Sequence, residues 1–563
     1  MTAFAAILHK NDDAAPVDPV ARALADVTGR AASASTAGRC VLLVSPLHAN
    51  DSPAPVRTPS GQLTVGSRTS EFGEYACASW NPGDETLECS RDGLGIRLLY
   101  VAAGEDTIVV TNVLAAALCH PRIAATLDEA ALIEFLAYGT SLDHARTCYR
   151  DVRVLPPGHT LTIDGRSFMA RMRRHWTFPV ADEVRRTAGE IVDEYRSLLA
   201  DAVRDRLGSD GTSIFLSGGI DSTTMAAAAV DVAPPRTLHA ITTRYPRYVD
   251  DVELPFTQAA AERLGLPLTI VDADAHAPWH QDVETPPLSL PLDEPMLADW
   301  RDALTCAAQH GTVALYGEDG DALLRPPGWR ALRNAASLGE IGLAAAHYAL
   351  THGKRPYIGL RWRERMGIVR PRRFSAPPWL TDHARTILDD TAPADVLGCR
   401  PEPLPPHPTR PEAQAVLTST TIARHFAATI APETTRRRVE LRFPILDLRL
   451  VRLVVSIPAI PWCQDKALPR RAYRGRLPDA VIDRPKTPLV GFNEGMVDAW
   501  RRSTGNHVAT LSDPVAGWID GAAWAQTLRN GAPGAVMAAW RVSALDAWLA
   551  GRSRPAGDAA CTR

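Results

Sequence analysis

The residues of this chain best arranged to do chemistry lie in SIFLSGGIDSTTMAAAA, residues 213–229. There an apolar run leads into Ser217, Gly218, Gly219, Ile220, Asp221 and Ser222, and then into a stretch of good helix formers. A strand, a tight turn and a helix N-terminus meet at this point. Adjacent glycines let the backbone turn sharply, so successive amide N–H groups converge on one anion, and the helix dipole and the hydroxyls of Ser217 and Ser222 add attraction. Such a loop suits a phosphate or pyrophosphate. Asp221 repels that anion unless a cation such as Mg2+ lies between them, so the expected ligand is a metal polyphosphate. The turn has no lysine and the wrong spacing for the GxxxxGK[ST] phosphate loop.

A second candidate is VALYGEDGDALL, residues 313–324, with the form of a strand ending in an acidic, glycine-bearing turn. Asp221 and Asp321 can face one metal if their two strands end at the same carboxyl edge of a sheet, where open α/β sheets bind ligands.

These two stretches resemble the SGGxDS pyrophosphate loop and the LSGDGGDELF segment of the asparagine synthetase family. Two more stretches resemble that family in order along the chain: VELRFPILD at 439–447, similar to ExRxPFLD, and RPKTPLVGF at 484–492, similar to RxKxGF. The resemblance implies ATP cleavage between the α and β phosphates, with a substrate carboxylate adenylated and pyrophosphate leaving into the 217–222 loop. It implies Mg2+ held by Asp221 and Asp321, and nucleotide contacts from Leu216, Ser217, Gly218, Gly219, Asp221, Ser222 and Gly317. Adenosine is expected between the strand ends near Leu216 and Ile241, Thr242 and Thr243. Glu318 points to the acyl side and is the candidate base, with Lys486 and Glu440 as further catalytic candidates. Lys486 would neutralise charge building on pyrophosphate and on the adenylated oxyanion. Tyr316, Asp319 and Ala322 stand where the family usually has Ser, Gly and Glu, which changes the shape of the acceptor pocket.

The elements needed to hold these residues are legible as a pattern. Residues 1–175 read as short strands, including the N-terminal run, Cys40 to Ser45, Leu98 to Ala102 and Thr107 to Val110, with a helix over Leu127 to Tyr138. A helix then starts at Thr187, which has capping-box spacing to Glu190. After it, Thr212 to Leu216, Leu238 to Thr242 and Leu268 to Val271 read as strands, separated by helices at Ser222 to Val230 and Pro255 to Leu264. That alternation predicts a parallel sheet with helices on both faces. The rest reads as mostly helical, with most of 439–458 assigned to packing and the prolines of 401–411 forming an exposed loop.

The fold expected is therefore an α+β N-terminal layered sandwich, then an α/β parallel-sheet synthetase domain of the ATP-pyrophosphatase type with added helices. The boundaries are 1–180, 186–550 and a flexible tail at 551–563. RDGLGIRLLY at 91–100 and VRVLPPGHTLTI at 152–163 extend the resemblance into the first half, which is glutaminase-like. It is degenerate in lacking the N-terminal cysteine nucleophile of glutamine-dependent members, residue 2 being Thr.

Without glutamine as ammonia source, the acceptor is an amine from solution or from the activated molecule itself, where proximity replaces a bimolecular step. Two branches resemble that case, β-lactam synthetase and the lasso peptide cyclases. The long region between about 325 and 415, with arginines at 361–373 interleaved with Trp362 and following Tyr357, favours a peptide. The resemblance then implies a precursor peptide as substrate, a leader peptidase as partner and a macrolactam as product. A scaffold protein that kept the fold without the chemistry is the other class.

Bulk composition excludes several functions. With 563 residues, 45% hydrophobic, 22% charged and a formal charge of -3, the chain is globular and carries no bulk basic face for nucleic acid. Nine cysteines without a CxxC pair fit neither a disulfide framework nor structural zinc. No apolar run reaches 18 residues and the first residues lack a signal-peptide pattern, so neither a membrane partner nor a location outside the cytoplasm is expected.

Overall fold

The computed structural model describes residues 2–11, 16–48, 51–70, 72–180, 186–247, 252–276, 288–356, 376–485, 511–530 and 533–553. The first twelve strands are β1 (Ala3–His9), β2 (Ser33–Ala37), β3 (Cys40–Ser45), β4 (Val56–Arg57), β5 (Leu63–Ser70) and β6 (Gly73–Asn81), followed by β7 (Thr86–Arg91), β8 (Tyr100–Ala103), β9 (Thr107–Thr111), β10 (Val152–Val154), β11 (His159–Asp164) and β12 (Ala170–Arg174). They form two six-stranded sheets, in the orders β10-β8-β9-β1-β3-β2 and β12-β11-β7-β6-β5-β4. Every pairing within them is antiparallel.

The apolar run of β1 is explained by burial on both faces. Phe4, Ala6 and Leu8 pack between the sheets with Val65, Ala76 and Trp80. Ala3, Ala5 and Ile7 turn the other way, onto Val20 and Leu24 of the helix Asp18–Thr28 and Leu132 and Leu136 of the helix Glu129–Tyr138. Each large side chain so buried contributes roughly 1.5–3 kcal/mol. The Glu129–Tyr138 helix starts two residues later than its apolar pattern does. Asp128 accepts a hydrogen bond from the Ala131 amide as its cap, and Gly139 in the left-handed region ends it.

The chain then enters the helix Ala188–Arg204, capped by Thr187 with the reciprocal Glu190 bond. Beyond it lie β13 (Thr212–Phe215), β14 (Leu238–Arg244), β15 (Leu268–Asp272), β16 (Val313–Leu315) and β17 (Glu440–Arg442). They make one parallel sheet in the order β15-β14-β13-β16-β17. From β13 the chain winds outward through β14 and β15, then returns to add β16 and β17 on the other side. The switch point is thus between β13 and β16, the place where a crevice opens at the strand carboxyl ends. The strand β17 falls inside the segment assigned to packing. Ile445, Leu446, Leu450, Leu453 and Val454 of that segment are buried as expected.

Two other expectations change. In the proline segment five of the eleven residues are exposed, whereas His407 and Arg410 are buried, the His407 Nε2 lying 2.8 Å from the Pro179 carbonyl oxygen and its amide donating to Gln414 at 2.6 Å. The last helix, Pro533–Ser553, carries ordered structure three residues into the segment read as a tail. The region 325–415 contributes the helices Trp329–Ala335, Leu338–His352 and Asp382–Asp390, while its arginines at 361–373, with Trp362 and Tyr357, lie outside the described residues. Among the described residues no helix is long and apolar enough to cross a membrane.

Candidate active site

A cavity of about 700 Å³ opens at the carboxyl edge of the parallel sheet, over the β13/β16 switch point. From β13 it takes Leu216, Ser217, Gly218, Gly219, Asp221 and Ser222. The end of β14 adds Ile241, Thr242 and Thr243, and the turn after β16 adds Gly317, Glu318 and Asp321. These are the residues that the sequence pattern singled out around nucleotide, metal and acyl group, and one cavity brings them together.

The 217–222 loop is held tightly. Its backbone leaves β13 with the Leu216 amide still bonded to the Ile241 carbonyl at 2.8 Å, and Gly219 caps the helix Ile220–Val232. A Cβ on Gly218 would lie 2.7 Å from the Glu253 carbonyl oxygen and 2.9 Å from Phe256 Cβ, so only glycine fits. Arg484 clamps the same point, donating to the Gly218 carbonyl at 3.0 Å and to Glu253 Oε1 at 2.9 Å with its guanidinium 4.6 Å from the Phe256 ring centroid. The serines behave differently from expectation. Ser217 Oγ and Ser222 Oγ lie 2.9 Å apart, and the amides of Ser217 and Gly219 donate to Ser222 Oγ and Ser217 Oγ at 3.0 and 3.2 Å. In this state both hydroxyls tie the loop to itself.

The acidic turn locks onto that loop. A Cβ on Gly320 would sit 2.5 Å from the Asp221 carboxyl, so the two acidic segments are in contact through a missing side chain. Asp319, which caps the short helix Gly320–Leu323, holds φ at 63°, and its Oδ2 is buried with no hydrogen-bond partner. Burial, then the neighbouring Glu318 and Asp321 carboxylates, push its carboxyl up to about 7.

The residue that the sequence reading missed is Lys466. Its Nζ lies 2.5 Å from Asp221 Oδ2 and 2.6 Å from Asp321 Oδ1. Burial works against the ammonium, but the two carboxylates outweigh it and hold Lys466 above the ordinary lysine value. Nothing local in QDKALPRR marks this lysine, because its partners come from other segments. Its ammonium is also a test of cation fit. Two carboxylates from the helix starts that follow separate strands aim at a single point already taken by a positive charge, and a hard cation with oxygen ligands suits that point. Among the described residues no group of three or more His, Cys, Asp or Glu converges, so the remaining positions of such a cation would fall to phosphate oxygens and water.

Glu318 faces an aromatic wall. Phe215, Trp300 and Tyr316 line the cavity with ring centroids 4.9, 5.5 and 5.6 Å apart in the pairs Phe215–Trp300, Trp300–Tyr316 and Phe215–Tyr316. Burial, and then the Glu318 carboxylate hydrogen-bonded to it, push the Tyr316 phenol well above its usual value. His425, on the helix Thr420–Ile430, has a buried Nε2 without a hydrogen-bond partner. Burial lowers its pKa against the opposing pull of Glu318.

Two catalytic candidates remain, Lys486 and Glu440. Lys486 lies outside the described residues. Glu440 is corrected: it sits in β17, 4% exposed, within a buried ion network that joins the two halves of the chain. Its carboxylate takes Arg97 at 2.7 Å and Arg442 at 2.8 Å and contacts His48. Arg97 also reaches Glu74, which pairs with Arg206, which in turn pairs with Asp447. A carboxylate so enclosed and so fully paired has no route to a reacting atom. In the N-terminal sandwich, burial pushes the thiols of Cys40, Cys77, Cys89 and Cys148 up, away from the thiolate a nucleophile needs.

The asparagine synthase family matches residues 194–550, and a glutamine amidotransferase domain matches residues 65–176. A glutamine-hydrolyzing asparagine synthetase of Bacillus subtilis is 29% identical over 160 residues, covering 28% of this chain and 25% of the relative. A putative glutamine-hydrolyzing asparagine synthetase of Mycobacterium bovis is 30% identical over 276 residues, covering 45% and 39%. Amidase chyE of Penicillium rubens is 26% identical over 241 residues, covering 38% and 35%. The chain thus spans between a quarter and two-fifths of the length of these relatives. The family match contains the whole parallel sheet and both acidic loops, and the chain belongs to the asparagine synthase family.

Proposed function

We propose that this chain is an ATP-dependent, AMP-forming amide ligase whose substrate is a peptide, closed into a macrolactam between a side-chain carboxyl and its own terminal amine. The observation that carries the ligase reading is the convergence of the 217–222 loop, the Asp221–Lys466–Asp321 cluster and Glu318 on one cavity. Adenosine would lie against Leu216 and Ile241–Thr243. The loop amides and Arg484, through its hold on Gly218, would keep the polyphosphate in line, so that catalysis is mostly positioning and charge stabilisation. Mg2+, held by Asp221 and Asp321, would supply charge neutralisation on the polyphosphate.

The substrate carboxylate attacks the α phosphorus, the bond to the β-phosphate oxygen breaks and pyrophosphate leaves. The peptide amine then attacks the acyl carbon, gives its proton to Glu318 and expels AMP. Lys466 would share the charge-stabilising role read at Lys486, because its ammonium is within reach of both acidic loops.

Three observations support a peptide acceptor over ammonia from glutamine. Burial raises the thiols of Cys40, Cys77, Cys89 and Cys148 in the N-terminal sandwich, the acyl side is walled by three aromatic rings, and the helix Leu338–His352, which packs on Ala459 and Ile460, exposes Leu343 and Leu350 at 74% and 87%. The expected partner is a leader peptidase that frees the amine.

The test is mass spectrometry of the full chain with ATP, Mg2+ and leader-free candidate peptides. Loss of one water from the peptide together with AMP supports the reading. AMP formed only with small amino acid derivatives moves the chain to the β-lactam-synthetase-like class, and failure of every carboxylate substrate to yield AMP refutes the ligase.

A further inference from the structure

The ammonium of Lys466 occupies the one point on which Asp221 and Asp321 converge, at 2.5 and 2.6 Å. A magnesium ion would bind those same oxygens at roughly 2.0–2.1 Å, so the two cations cannot hold the position together. Electrostatics adds to the steric conflict, since two positive charges sharing one carboxylate pair repel across a few ångströms.

The surroundings decide which partner can move. The backbone at this turn is fixed: Asp465 and Lys466 are consecutive residues at φ 47° and 54°, a conformation rarely kept without support. The support is visible, with Lys354 Nζ 3.1 Å from Asp465 Oδ2 and Arg470 Nε donating to the Asp465 carbonyl at 2.7 Å. The backbone that carries the carboxylates is set as well, Asp221 standing in the first turn of its helix and Asp321 following Gly320, which packs against the Asp221 carboxyl. The four-carbon stem of the lysine is the part with freedom. Exposure gives a direction: the side chains of Lys466 and Asp221 are 15% exposed and that of Asp321 is 51%, so a cation reaches the pair from the Asp321 side.

We propose that Lys466 is the resident counter-ion of the Asp221–Asp321 pair, and that a divalent cation displaces its ammonium into the cavity, where it becomes available to the polyphosphate. The inference rests on the reading of the two aspartates as cation ligands. It adds a sequence of events to that reading. Before metal arrives the acidic pair is neutralised internally and the lysine is engaged. Metal binding releases the lysine at the same moment that it completes the polyphosphate site, so the stabilising charge is set free only when there is something to stabilise.

The experiment is Mn2+ titration of the nucleotide-free full chain, with free Mn2+ read by electron paramagnetic resonance, for the wild type, Lys466→Met and Asp221→Asn. Displacement lowers the apparent metal affinity by the fraction of molecules whose lysine has vacated, so Lys466→Met binds Mn2+ about tenfold tighter if that fraction is about a tenth. Asp221→Asn binds more weakly. A second readout needs no lysine variant: reductive methylation of Lys466, followed by peptide mass spectrometry, rises severalfold when Mn2+ is added to the wild type and is insensitive to Mn2+ in Asp221→Asn. Unchanged or weaker binding by Lys466→Met, or methylation indifferent to Mn2+ in a wild type that binds it, overturns the displacement. Equal Mn2+ binding by wild type and Asp221→Asn overturns the cation-site reading itself.

Discussion

Replacing Glu440 by alanine removes a carboxylate that the structure assigns to holding the two halves together and not to chemistry. The magnitude follows from what the deletion strands. Arg97, 1% exposed, loses its 2.7 Å partner, and Arg442 loses its partner at 2.8 Å. Removing one member of a buried ion pair costs about 3–5 kcal/mol. Some partners survive: Arg97 keeps Glu74 Oε2 and the Leu441 carbonyl, each at 3.1 Å, and Arg442 keeps the Arg206 and Leu207 carbonyls at 3.1 and 3.2 Å. The expected loss therefore falls at the low end, about 3 kcal/mol, with Glu440→Gln losing roughly half because an acceptor oxygen remains. Burial opposes ionisation of Glu440, but Arg442 and Arg97 outweigh it and hold its carboxyl well below the usual range. A carboxyl with a depressed folded pKa contributes stability above its unfolded value and loses it as pH falls through the folded one. The difference between wild type and Glu440→Ala should therefore persist at neutral pH and shrink only in strong acid. Urea unfolding measured against pH reads this, with nucleotide affinity as the control. A variant of unchanged stability that has lost AMP formation would refute the structural assignment and return Glu440 to the catalytic set.

Asp221→Asn should lower AMP formation at least about a hundredfold while leaving the unfolding midpoint near that of the wild type, read by quench-flow and urea titration. Glu318→Gln should slow amide closure about a hundredfold and spare adenylation, so hydroxylamine trapping of the acyl-adenylate continues while cyclised product falls. Deleting residues 1–180 should give an insoluble product, because Arg206, fully buried on Glu74 Oε1, and Glu440, paired with Arg97, would each lose a partner from the sandwich. Soluble yield and size-exclusion profile check it.

The parts of the site that could be read in the sequence are those whose chemistry is local. A Gly-Gly turn between an apolar strand and a helix carries its meaning in adjacent residues, as does the acidic turn at 317–321, and both line the cavity. Lys466 carries none in its neighbours. It meets Asp221 across 245 positions of chain, and only the fold makes that pair. Glu440 failed in the opposite direction, since a family-like motif surrounds it while its function is set by Arg97, 343 positions away in the other half. The strand β17 went unseen because its three residues lack the glycine-bearing turn that marks the end of β16, and only pairing with β16 declares it. Boundary shifts have equally local causes, such as the Asp128 cap that starts a helix after its apolar pattern begins.

The precision of the acidic pair must come from the sheet more than from its loops. β13 and β16 pair in parallel with Thr212 opposite Val313 and Ile214 opposite Leu315, so both turns leave the sheet at nearly one level. From that level, Asp221 and Asp321 are each carried on the first turn of a helix. Side chains in a strand alternate faces, so a slip of one residue between β13 and β16 would shift one aspartate by about 3.3 Å and turn buried Ile214 or Leu315 toward the wrong layer. Both are fully buried in the central core, so the hydrophobic penalty for that slip opposes it strongly. The distance between the two carboxylates, and with it the ability of one cation to span them, is therefore set by apolar packing beneath the cavity. Gly320 then fixes the last contact, since any larger residue there would push against the Asp221 carboxyl and spoil a spacing that the core had already determined.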